Sequence, residues 1–157
     1  MIAEPVRTES ATHVEFGTSL DAAQLARGVC RALSDRGFGA LTEFSLANGR
    51  RADVIAMDGT GRFIIVEIKT GEADFRADKK WRDYLDFCDL FYFAVPVEFP
   101  KPLISEDCGL LVADAFSAAV LREPGASAMH PSRRKAQLLR FALTATLRLQ
   151  QVSAPRL

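Results

Sequence analysis

The segment Phe63-Ile64-Ile65-Val66-Glu67-Ile68-Lys69 constrains the fold more than any other part of the chain. Its first four positions are all apolar, so neither face suits water. A strand of that kind lies inside a sheet covered on both sides. Just upstream, Arg51 to Met57 reads as a second strand, and Asp58-Gly59-Thr60-Gly61 is a turn of hairpin length. Phe38 to Leu46 reads as the strand before that, with Phe38, Ala40, Phe44 and Leu46 at period two and Asn48-Gly49 as the next turn. A helix is predicted ahead of these strands. Ser19 is its expected N-cap, Asp21 suits its first turn, Leu25, Val29 and Leu33 form its apolar stripe, and Gly37 stops it.

After Gly71, a second helix is expected from a cap at Asp74 to about Phe87, with a break near Trp81. Leu90 to Val95 is an aromatic-rich strand ended by Pro96. Leu110 to Ala113 and Ala118 to Arg122 are weaker strand candidates. Ser132 is placed to cap a last helix to about Gln151, with Leu138, Leu139, Ala142 and Leu149 on one side. A strand, a helix and another strand make a crossover, so the strands at Phe63 and Leu90 should pair parallel. The fold class is α/β: helix, three strands, helix, strand, around a central mixed sheet, plus a C-terminal helix.

The chain has 157 residues, which argues for one domain, with residues 1–18 as a polar N-terminal arm. Lys plus Arg and Asp plus Glu both number 20, so no overall charge draws the chain to nucleic acid, and any DNA surface must be local. The longest apolar run, Leu90 to Val97, is far short of the ~20 residues of a membrane span. Glu4, Arg7 and Glu9 stand where a signal peptide needs apolar residues. Cys30, Cys88 and Cys108 lack zinc-site spacing and read as thiols of a reducing cytoplasm. His13 and His130 lie in loop-like contexts.

Chemistry concentrates at the hairpin. Glu67 and Lys69 share one strand face. Taken alone, a strand-end ion pair would account for them. Asp53 is a second carboxylate inside a strand, where Asp is disfavoured. If Met57 faces Arg62 or Phe63, Asp53 falls opposite Glu67 or its neighbour. Two adjacent carboxylates repel unless a cation neutralises them, and oxygen ligands suit Mg²⁺ (or Mn²⁺). Lys69 beside such an ion would orient or help deprotonate a water that attacks phosphorus. Glu43 is expected opposite to Phe44 and Leu46, on the face of Leu41 and Ser45, within reach of Asp53. A solvated strand residue is the plainer account of it.

Ala52-Asp53, thirteen intervening residues and Glu67-Ile68-Lys69 resemble the core of the PD-(D/E)xK nucleases, with Ala52 where that motif has proline. Glu43, Gly49-Arg50-Arg51-Ala52-Asp53, Val66-Glu67-Ile68-Lys69-Thr70, Ala73 to Trp81, Tyr84 and Phe91 to Pro96 together resemble the MmcB-like family of DNA-repair endonucleases. The resemblance implies a restriction-endonuclease-like core, Asp53 and Glu67 as metal ligands, Lys69 as catalytic lysine and Glu43 as accessory acid. It implies supporting roles for Lys80 and Tyr84, which at i, i+4 would share one helical face. The implied activity is Mg²⁺- or Mn²⁺-dependent hydrolysis of phosphodiester bonds in DNA repair, in a bacterial cytoplasm.

Candidate DNA contacts are Arg50 and Arg51 on the turn, Lys79 and Trp81 on the second helix, and Arg133, Arg134 and Lys135 at the start of the last. A solvated basic face is the plainer account of that last helix. A homodimer is expected, because cutting two strands takes two sites. Two other accounts stand beside the enzyme: a non-catalytic DNA-structure-binding module that recruits a partner repair enzyme, and a small α/β protein whose acids are structural.

Overall fold

The computed structural model describes residues 19–154. The arm 1–18 and His13 lie outside the described residues. Helix α1 (Ala22–Asp35) is followed by strands β1 (Gly39–Ser45), β2 (Arg51–Met57) and β3 (Phe63–Ile68). Helix α2 (Glu72–Ala77) and a 3₁₀ helix (Trp81–Phe87) lead to β4 (Leu90–Val95). Strands β5 (Gly109–Ala113) and β6 (Ala118–Arg122) and helix α3 (Pro131–Ser153) complete the chain. All six strands form one sheet in sequence order. β1, β2 and β3 are an antiparallel meander, β3, β4 and β5 run parallel, and β6 returns antiparallel. This is the α/β mixed sheet expected from the sequence, with the β3–β4 crossover parallel as predicted. No helix among the described residues is long and apolar enough to cross a membrane.

Helix α1 starts two residues later than Ser19 would place it. Asp21 caps it: its side chain accepts from Gln24 N–H, and the Gln24 side chain accepts from Asp21 N–H. This reciprocal pair satisfies two N–H groups at once, which a lone serine cannot do. The other end matches expectation. Gly37 has φ 85°, and the N–H groups of Gly37 and Phe38 bond back to Ser34 and Leu33, a Schellman ending. Leu25, Val29 and Leu33 are buried against Val54, Val66 and Tyr92. Gly28 lets α1 lie directly on the β5–β6 turn: a Cβ there would sit 1.9 Å from the Asp114 carbonyl oxygen.

The other sheet face is covered by α2, the 3₁₀ helix and α3 over an aromatic core. Phe141 of α3 packs on Phe44 and Phe63, with ring centres 5.9 and 5.7 Å away. The face that α3 buries overlaps the expected one only at Leu138, which packs against the core. Gln137 and Phe141 are buried, whereas Leu139 and Leu149 are 66% and 64% exposed. Polar partners set the orientation. Gln137 donates to the Phe87 carbonyl at 2.6 Å, and Arg134 grips Asp89 with both nitrogens at 2.8 and 2.6 Å. His130 caps α3 by accepting from Ser132 N–H, so the helix begins at Pro131 and runs to Ser153.

The second helix is also shorter than expected. It begins at Glu72, and Asp74 lies within it, its carboxylate accepting from Thr70 N–H. It ends at Ala77, and the chain resumes as 3₁₀ after Lys80. Lys80 and Tyr84 therefore do not share a helical face. Lys80 caps the 3₁₀ helix from outside, and at three residues per turn positions four apart diverge. Cys88 and Cys108 are buried thiols and Cys30 is half-buried, none of them in a disulfide. Burial pushes Cys88 up to about 12 and Cys108 up to about 11.

Candidate active site

The β2–β3 ladder pairs Met57 with Phe63 and Val54 with Val66. The next opposed residues are Asp53 and Glu67, one of the two registers that the hairpin arithmetic allows. There the backbone pairing stops and side chains replace it. Asp53 N–H donates to Glu67 Oε1 at 3.1 Å, and Ile68 N–H donates to Asp53 Oδ2 at 2.8 Å. Each carboxylate takes the N–H that a neighbouring strand would otherwise have satisfied. The exchange leaves Asp53 Oδ1 and Glu67 Oε2 for another partner.

The pleat explains why the strands open here. Phe38 and Ala40 pack on the α1 side, whereas Leu41, Phe44 and Leu46 pack on the other. β2 shows the same offset: Val54 and Ala56 face α1, Ala52 and Ile55 face away. β1 and β2 therefore both change face, at Glu43 and Asp53. Glu43 has φ 50°, a left-handed conformation uncommon outside glycine. Leu41 thus shares a face with Phe44, contrary to simple alternation. Glu43 and Asp53, with Thr42 and Ile68, line an open groove of about 720 Å³ against α1, whose Arg27 and Arg31 also line it. Those two arginines escaped the sequence reading, since an isolated basic residue on a helix carries no signal.

The electrostatics follow from burial. Glu67 is 5% exposed. Desolvation first, and the neighbouring Asp53 second, push its carboxyl up to about 8 despite the charge of Lys69. Asp53 is also raised by burial, while the Ile68 N–H and Lys69 pull it back. Burial thus favours the protonated form of both carboxyls, and a bound cation would favour the charged form. Two carboxylates with water fit Mg²⁺ or Mn²⁺, which are held by few protein oxygens. No group of three or more His, Cys, Asp or Glu among the described residues is placed to hold a metal.

Lys69 is 7% exposed, and its Nζ lies 2.8 Å from Asp78 Oδ2. Asp78 is the site residue that the motif did not indicate. Burial works against its charge, but Lys69 and the Lys80 N–H outweigh that and hold it below the usual carboxylate range. Tyr84 is buried beside the acids. Its hydroxyl donates to the Arg51 carbonyl at 3.1 Å, and burial with the charges of Glu67, Asp53 and Asp78 raises its pKa. Lys80 is exposed.

The proposed DNA contacts separate into two groups. Arg51 pairs with Glu43 at 2.6 Å, both exposed, and Arg50 pairs with Asp83 at 2.9 Å. Lys79 and Lys135 are exposed. Arg133 lies over Phe87 and 3.6 Å from Asp86, and with Arg140, His130 and Asn48 it lines an open cavity of about 650 Å³. Arg134 and Trp81 have other tasks. Arg134 neutralises Asp89, which also accepts from the Phe63 and Met129 N–H groups and so ties β3 to α3. Trp81 stacks on Phe91 and sits under Arg82.

Fold and site together define an α/β protein of helix, three strands, helix, strand order, with an acidic pair and a lysine where its central hairpin opens. The chain belongs to the MmcB-like family of DNA repair proteins, whose model matches residues 9–156. The solved structure of SPO1766, a protein of unknown function from Silicibacter pomeroyi, is similar with a TM-score of 0.83. It is 41% identical, over 88% of this chain and 95% of that one. No curated protein matches the chain.

Proposed function

We propose that this protein is a divalent-metal-dependent DNA endonuclease of the PD-(D/E)xK type, acting in DNA repair. The observation that carries the reading is the Asp53–Glu67 pair. A protein that needed only stability would continue the β2–β3 ladder with apolar residues. This one inserts two carboxylates, raises the pKa of both and places a buried lysine two residues on.

Asp53 Oδ1 and Glu67 Oε2 would hold Mg²⁺ or Mn²⁺. Bound there, the ion supplies Lewis acidity toward a phosphoryl oxygen. The chain's own residues do the rest. Lys69 orients the attacking water and offsets charge that builds on the phosphoryl oxygens. Glu43 adds negative charge at the groove mouth, and its pairing with Arg51 limits that charge before DNA arrives. Arg27 and Arg31 on the groove rim, Arg51 beside Glu43, and Arg50, Lys79 and Lys80 of nearby chain segments meet backbone phosphates. Arg133 and Lys135 at the start of α3, on the other face of the sheet, offer a second basic surface. A local surface of this kind gives salt-sensitive binding despite zero net charge.

The test is cleavage of a panel of flap, junction, gapped and duplex DNA with Mg²⁺, Mn²⁺ or EDTA, by wild type and by Asp53→Asn. Metal-dependent cleavage lost in the variant is the expected result. Structure-selective binding without cleavage by the wild type would make the protein a DNA-binding module instead.

A further inference from the structure

The geometry points to Asp78 as a positioning residue for Lys69, inserted by the break between α2 and the 3₁₀ helix; this rests on the nuclease reading above. A lysine ammonium is a compact point charge on a flexible four-carbon stem and has no preferred direction of its own. Buried without an anion it would be strongly destabilising. The side chain of Lys69 is 9% exposed and that of Asp78 14%, with Nζ and Oδ2 2.8 Å apart. That carboxylate is the one hydrogen-bonding or ion-pair partner of the ammonium among the described residues.

Asp78 is itself fixed. Its other oxygen accepts from Lys80 N–H at 2.9 Å, and its backbone leaves the helical region at φ −86°, ψ 109°. A backbone N–H thus holds a carboxylate, and the carboxylate holds the lysine. The lysine stays close enough for its charge to act on both Asp53 and Glu67. Helix continuation through residues 78–80 would carry Asp78 out of this position. The interruption between α2 and the 3₁₀ helix, unexplained by any proline or glycine in Asp78-Lys79-Lys80, is accounted for by this contact.

The experiment is a double-mutant cycle on the saturating single-turnover rate, with DNA affinity and melting temperature measured alongside. Asp78→Asn should slow cleavage by about 10- to 100-fold, the range for a misplaced reacting group, and change DNA affinity by less than about twofold. Asp78→Glu should recover part of the rate. In the Lys69→Gln background, Asp78→Asn should cause no further loss, because the group it positions is gone. Equal losses in both backgrounds, or a wild-type rate for Asp78→Asn, would overturn the inference. If Asp78→Asn alone does not fold, the Lys69→Gln and Lys69→Gln/Asp78→Asn proteins still decide it: the double variant buries no charge, and in Lys69→Gln the Asp78 carboxylate keeps its bond from Lys80 N–H. Equal rates support the inference, and a further loss overturns it. A wild type that cuts no DNA overturns the nuclease reading and this inference together. An active wild type with an unaffected Asp78→Asn variant overturns the inference alone.

Discussion

Replacing Glu67 by glutamine isolates the electrostatic cost of the acidic pair from anything that DNA does. The carboxyl is 5% exposed, and its pKa lies at about 8 against an ordinary 4.5. The folded protein therefore binds more protons than the unfolded chain between those values. The protonated carboxyl stabilises the fold below pH 4.5, and that contribution is lost as pH rises through about 8. At about 1.4 kcal/mol per tenfold change, the full penalty of the charged form is about 5 kcal/mol. Glutamine keeps an oxygen for the Asp53 N–H but buries an amide NH₂ in place of the other carboxylate oxygen, at a desolvation cost of its own. The expected gain is thus smaller, about 2 kcal/mol at pH 8. In a chain of this size that raises the melting temperature by about 4–8 °C. Thermal melts in EDTA from pH 5 to pH 8 should show wild type losing stability across the window, with a shallower loss for Glu67→Gln. Adding Mn²⁺ should then stabilise wild type and leave Glu67→Gln unmoved. A variant that melts at or below the wild-type temperature at pH 8, with the same pH slope, would mean that the buried Glu67 carboxylate carries no such cost.

Two further substitutions test the scaffold. Arg134→Met should destabilise the protein by about 3 kcal/mol in denaturant titrations, because it leaves Asp89 charged, 8% exposed and without its cation. DNA affinity per folded molecule should not change, which a phosphate-contacting arginine would not allow. Gly28→Ala should lower the melting temperature through a cost of about 1–3 kcal/mol, since the new methyl meets the Asp114 and Ser117 carbonyl oxygens at 1.9 and 2.7 Å. If that variant melts like wild type, α1 does not lie as close to the β5–β6 turn as described.

The elements that the sequence showed plainly are those whose local pattern and tertiary environment agree. β2 and β4 fall at their predicted bounds, because a hairpin turn or a proline punctuates them. The apolar run in β3 reported its own burial. The Asp53–Glu67 opposition followed from counting across one turn. What stayed hidden depended on polar contacts between residues distant in sequence. Leu138, Leu139, Ala142 and Leu149 looked like the buried side of α3; Leu138 does pack on the core, but Asp89 and the Phe87 carbonyl turned the helix toward Arg134 and Gln137 and left the other three outside. Period-two alternation carried Glu43 to the wrong partners, because a left-handed residue in mid-strand breaks the alternation with no glycine to announce it. Asp78 read as one more polar residue of a helix, since nothing in Ala77-Asp78-Lys79 signals that its carboxylate turns inward to Lys69. The basic residues divided the same way: composition cannot tell an arginine that neutralises a buried aspartate from one left for phosphate.

Single-turnover cleavage by Lys69→Ala at saturating DNA and metal bears most directly on the claim that this site does chemistry. The lysine is placed beside the acids rather than on the outer surface, so its contribution belongs to the transition state. The expected rate is lower by about 10²-fold or more, with DNA affinity changed far less. A saturating rate equal to wild type would contradict it.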